Sequence, residues 1–251
     1  MELYPEVGLQ KQADPPILAM LHLWHKLVKE KIGVDFEVFI GNRREHKQLN
    51  SFKGELHTAY PQMVNGHPSL VLWLDNVTKV NSIFVTHELG HWVLKLQGFQ
   101  GIRHIKQQDI DIEALLGSMC HHPPLYALQK QCGHEPQKEI DNRTESNIKL
   151  VMATSASGGL NEVFLFADDL LNCSEKYSTQ LRGILMQKHK SVWALVETIL
   201  SLSTGYNLLN PRENLQFLRQ VIKRLKLGKD WYEPDEVQAL VNMTIKVAGA
   251  G

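Results

Sequence analysis

Apolar residues along this chain keep two rhythms, one early and one late. Ile17, Leu18, Leu21, Trp24, Leu27 and Val28 recur at helical spacing. Asp14 can cap that helix, Pro15 and Pro16 suit its first turn, and Gly33 offers a stop. Alternation follows: Val34 to Ile40 (VDFEVFI) predicts a strand with Val34, Phe36, Val38 and Ile40 on one face. The polar, basic stretch from Gly41 to Lys53 reads as a solvated loop or hairpin arm. Two further strand-like pieces lie near Glu55–Tyr60 and Ser69–Leu74, with turn signals at Pro61 and Asn65-Gly66. The second piece, SLVLWL, is apolar enough to be buried in a small sheet.

Thr78 to Leu96 then reads as one long helix, capped by Asn76 or Thr78, with Gly98 past its end. Helical spacing resumes over Asp109–Met119, His121-His122-Pro123-Pro124 predicts a break, and Leu125–Gln131 a short helix. Beyond Lys138 strand signals nearly vanish. Helices are predicted over Glu139–Met152, Leu160–Leu171, Lys176–Leu202, Pro211–Leu227 and Pro234–Val247, with Ser155–Gly159 as a flexible joint. The expectation is an α+β chain: a small mixed sheet with a first helical part over 1–135, then a mainly helical region over 136–251 that forms a second domain or packs with the first.

Composition narrows the function classes. Lys plus Arg equals Asp plus Glu, 27 each, which argues against a dominant nucleic-acid or anionic-lipid surface. The first sixteen residues lack a basic leader and an apolar core, and no apolar run is long enough to span a membrane. Three cysteines, Cys120, Cys132 and Cys173, suit free thiols in a reducing compartment. A cytoplasmic protein that engages no membrane and no nucleic acid is expected; oligomeric state is not legible.

The chemistry concentrates in His87-Glu88-Leu89-Gly90-His91. On a helix, positions i and i+4 share a face, so the rings of His87 and His91 can converge on one ion. Glu88, one residue after the first histidine, can reach a water beside that ion. The pattern arises by chance in surface helices too. Here the flanks (IFVT and WVLKL) are apolar, Gly90 leaves room for close packing, and an acidic helix follows. His22 and His25 also lie on a predicted helix, but with no acidic or thiol neighbour in sequence they are not read as ligands.

A catalytic zinc ion usually takes three protein ligands and keeps a fourth position for water. Glu113, 22 residues after His91 at the start of an apolar helical run, is the preferred third ligand. Asp111 and the pair His121 and His122 are the alternatives. With zinc in place, Glu88 would serve as general base, and His121 or His122, with His122 preferred, would donate to the developing oxyanion. A structural zinc site from Cys120, His121 or His122, Cys132 and His134 is the weaker metal reading, because C-x-x-C spacing is absent.

The segment VTHELGHWVLKL resembles the active-site helix of zincin metallopeptidases, and Glu113 resembles the glutamate ligand of the gluzincin group. The strand SLVLWL ahead of that helix also fits the zincin layout. Among intracellular proteins, the bacterial ImmA/IrrE-like proteases are similar over roughly Val34 to Gln131. The resemblance implies a single Zn2+ held by His87, His91 and Glu113, peptide-bond hydrolysis with Glu88 as base, and a peptide or protein substrate. The competing expectation is a zincin-fold sensor that binds a partner without cutting it; an intact Glu88 argues against it.

Overall fold

The computed structural model describes residues 3–6, 14–46, 58–75, 77, 80–105, 110–153 and 159–248. In chain order they form β1 (Leu3–Pro5), α1 (Pro15–Ile32), β2 (Glu37–Asn42), a 3-10 turn (Arg43–Glu45), β3 (Thr58–Val64), β4 (His67–Leu74), α2 (Ser82–Leu96), β5 (Arg103–His104), α3 (Ile110–Gln131), α4 (Gln137–Ala153), α5 (Leu160–Asn172), α6 (Glu175–Lys188), α7 (Lys190–Ser203), α8 (Pro211–Arg224), β6 (Trp231–Tyr232) and α9 (Glu236–Ala248). The class is α+β, mostly helical, with a small mixed sheet. Among the described residues no helix is long and apolar enough to cross a membrane.

The chain divides into two compact units, each discontinuous in sequence. The first is Met1–Gln97, Leu128–His134 and Asp235–Gly251; the second is Gly98–Ala127 and Glu135–Pro234.

In the first unit the sheet runs β1-β2-β4-β3, with β2 parallel to β4 and the outer pairs antiparallel. Central β4 is buried from Ser69 to Leu74, as its composition predicts. Asn65 and Gly66, both at positive φ (50° and 81°), make the tight turn from β3 to β4. Pro61, expected in a turn, lies inside β3 opposite Leu70. An edge strand tolerates the missing N–H. Residues 55–57 of that predicted strand lie outside the described residues.

α1 forms as its pattern predicts. The Asp14 side chain accepts from the Ile17 N–H, and Gly33 ends the helix at φ 83°. Trp24 fixes it to the sheet: its indole N–H donates to the Phe36 carbonyl at 3.2 Å, and the two rings meet edge to face. The polar stretch after β2 is less wet than expected. Arg43 is buried and pairs with Asp75 at 2.6 Å, so its charge is compensated inside the unit. Residues 47–53 of that stretch lie outside the described residues.

The second unit closes on Phe164, Phe217, Leu181, Leu185, Val196 and Ile199, contributed by α5 to α8. Two expectations fail here. The helix predicted over Lys176–Leu202 is two helices, parted at His189, whose φ −131° and ψ 54° are not helical. His189 anchors the break through a hydrogen bond from Nε2 to the Val151 carbonyl. And α3 runs unbroken through Pro123 and Pro124.

Candidate metal centre

The two prolines of α3 remove the N–H groups that would have bonded the carbonyls of Met119 and Cys120. One of these carbonyls has a substitute donor. The buried Asn214, on α8, donates from Nδ2 to the Cys120 carbonyl at 2.7 Å. The helix therefore continues where the sequence predicts a stop, and it carries His121 and His122 as helical residues.

α2 starts at Ser82 because the Asn81 side chain accepts from the Ile83 N–H at 3.0 Å. The caps expected at Asn76 and Thr78 lie outside the described residues. Trp92 ties α2 to the edge strand, its indole N–H donating to the Ala59 carbonyl at 2.9 Å. Gln129, in the last turn of α3, donates to Thr86 Oγ1 at 2.9 Å and reaches the Ile83 carbonyl at 3.4 Å. That buried amide fixes the end of α3 against α2. His122 precedes Gln129 by seven residues, two helical turns, so it rides on the same face of α3.

His87 and His91 converge as the spacing predicts. Their Nε2 atoms are 3.3 Å apart and the rings stand almost perpendicular. Two nitrogens, each about 2.05 Å from one tetrahedral zinc, would lie about 3.3 Å apart. His122 completes the group: ligand atoms of His87, His91 and His122 all lie within 4.8 Å of one another. Three imidazoles leaving a fourth position open are a donor set suited to a catalytic first-row metal. The residues present fit an ion.

His122 is buried. Its Nδ1 lies 2.7 Å from Asp168 Oδ2, and its ring tilts against that of Tyr126. Asp168 and Asp169, both buried, belong to a wider network. Asn172 Nδ2 donates to Asp168 Oδ1 at 2.8 Å, while the Arg143 guanidinium lies 3.0 Å from both Asp168 and Asp169. Asn147 donates to Asp169 at 2.7 Å. No spacing rule marks these two acids in the sequence. Their signal was their setting, PheAlaAspAspLeuLeu, where two carboxylates interrupt an otherwise apolar helix face.

Glu88 is partly buried on α2, and burial pushes its carboxyl up to about 8, with the positive charge of Lys95 opposing the shift. Glu113 stands elsewhere than expected: its carboxylate accepts from the His104 backbone N–H, and it is not among the three converging groups. Asp109 and the Asp111 side chain lie outside the described residues. His121 is not among the three converging groups; its Nε2 donates to the Gln100 carbonyl at 3.2 Å. The thiols of Cys120, Cys132 and Cys173 are free, and burial raises each above its ordinary pKa. Among the described residues, Cys120, Cys132 and His134 join no metal-holding group.

Comparison with known proteins is silent: no family model, no curated protein and no solved structure matches this chain.

Proposed function

We propose that this protein is a zinc-dependent hydrolase of peptide bonds, with His87, His91 and His122 as protein ligands and Glu88 as general base. One observation carries the reading: three imidazoles converge within 4.8 Å, two of them flanking Glu88 on one helix. Zinc bound there would supply Lewis acidity, acidifying a water molecule and polarising a substrate carbonyl. Glu88 would take the proton of the attacking water and return it to the leaving amine. Partial burial raises its proton affinity, and a cation at the three histidines opposes that rise. In this reading His122 is a ligand and not the oxyanion donor that the sequence suggested. Glu113 holds the backbone at His104 instead of the ion.

Zinc content and hydrolysis of a degenerate peptide library, measured for wild type, Glu88→Gln, His122→Ala and Glu113→Ala, test this assignment. Glu88→Gln should keep zinc and lose turnover by about 10²–10⁴-fold. His122→Ala should lose zinc, and Glu113→Ala should retain it. Persistent turnover in Glu88→Gln would remove the general base from the scheme. A wild type that holds zinc but cuts nothing in the library would favour a partner-binding protein.

A further inference from the structure

We infer that Asp168 is the positioning residue of this centre: it holds the His122 ring by Nδ1 so that Nε2 is presented, unprotonated, as the ligand atom. The inference rests on the metal-centre reading above and adds to it a residue from α5, distant in sequence from the HELGH motif.

A neutral imidazole carries its proton on one nitrogen only, and the partner of that nitrogen decides which. His122 Nδ1 lies 2.7 Å from Asp168 Oδ2, and an ionised carboxylate can only accept. The proton is therefore assigned to Nδ1, and Nε2 keeps its lone pair. Asp168 is itself held on every side: Asn172 Nδ2 occupies its other oxygen at 2.8 Å, and Arg143 lies 3.0 Å from Oδ2. A carboxylate locked in this way fixes the rotation of the histidine ring as well as its tautomer.

Asp169 shares Arg143 with Asp168 but makes its own contacts with Asn147. It thus offers a control within the same network.

The test uses the full chain, freed of metal by a chelator. Nitrogen-15 NMR of the histidine rings, followed as pH is raised until the His122 ring is neutral, reads the tautomer directly. The His122 signal is assigned by its loss in His122→Gln. Zn2+ affinity is then measured by competition with a chromophoric chelator for wild type, Asp168→Asn and Asp169→Asn, with the melting temperature of each apo form recorded. The expected result is an Nδ1–H tautomer in wild type, a 10–100-fold loss of Zn2+ affinity in Asp168→Asn, and a change within about 3-fold in Asp169→Asn. An Nε2–H tautomer in wild type would overturn the inference, even if Asp168→Asn failed to fold. So would equal losses of affinity in the two variants, which would make Asp168 a stabilising residue only. An Nδ1–H tautomer in a wild type with no Zn2+ affinity would leave Asp168 as the group that orients the ring, and would count against the hydrolase reading alone.

Discussion

His25 is held between two carboxylates, with Nε2 2.9 Å from Glu6 and Nδ1 2.8 Å from Asp35. Both nitrogens have acceptors, which favours the imidazolium. The hydrogen bond to Glu6 is the largest influence, burial opposes it, and the bond to Asp35 adds to the rise, so the ring titrates at about 9. Because the folded value lies above the unfolded value near 6.5, the charged ring's contribution to stability is complete below about pH 6.5. It is lost as pH rises towards 9. Urea unfolding should show wild type losing about 1 kcal/mol more than His25→Gln across that interval, a figure discounted for the exposure of Asp35. Equal pH slopes in the two proteins would dismiss the pairing. Neither partnership was legible in sequence, since Glu6 is 19 residues from His25 and Asp35 is 10. The convergence of His87 and His91 was legible, because a four-residue interval on a helix is local geometry. His122 as the third member is not legible beside Glu113, because its placement depends on Gln129 and Asp168, contacts that no spacing rule encodes.

At the scale of elements, the informative case is α3. Two adjacent prolines predicted a break, since each removes a helical hydrogen bond, and nothing near them in sequence suggested a substitute. That substitute is Asn214, 94 residues from Cys120. Replacing Asn214 with Ala should strand a buried carbonyl and cost about 1–3 kcal/mol in chemical denaturation. In a Pro124→Ala background, where the backbone can supply its own donor to Cys120, the same replacement should cost less. A double-mutant cycle measures that difference, and strictly additive effects would sever the link between the proline and the asparagine. The opposite error occurred at His189, where a continuous pattern concealed a break. Neither proline nor glycine marks that site, and the pattern of apolar residues carries on through it. The early sheet and the helical remainder were legible because periods of 2 and 3.6 are properties of short windows.

For the whole molecule, an ion held by the candidate ligands would make metal binding a term in global stability. An ion that binds the folded chain and not the unfolded one adds about 2.7 kcal/mol at a hundredfold excess over its dissociation constant. For a chain of this length that is about 5–10 °C in melting temperature. Calorimetry with and without Zn2+ should show such a rise in wild type and little of it in His122→Ala; the same rise in both would take His122 out of the ligand set. The division into two interleaved units was not legible, because hydrophobic patterning says which residues are buried and not which segments meet.

That interleaving has a consequence for biosynthesis. The first unit includes α9, whose Glu236 pairs with Lys95 of α2 at 2.9 Å. All of Glu135–Pro234 is made before α9 appears. At translation rates of about 5–20 residues per second, those hundred residues occupy about 5–20 s. Throughout that interval α2, with its histidine pair, is already made but lacks its last packing partner. The ribosome therefore completes the second unit's chain before it can complete the first.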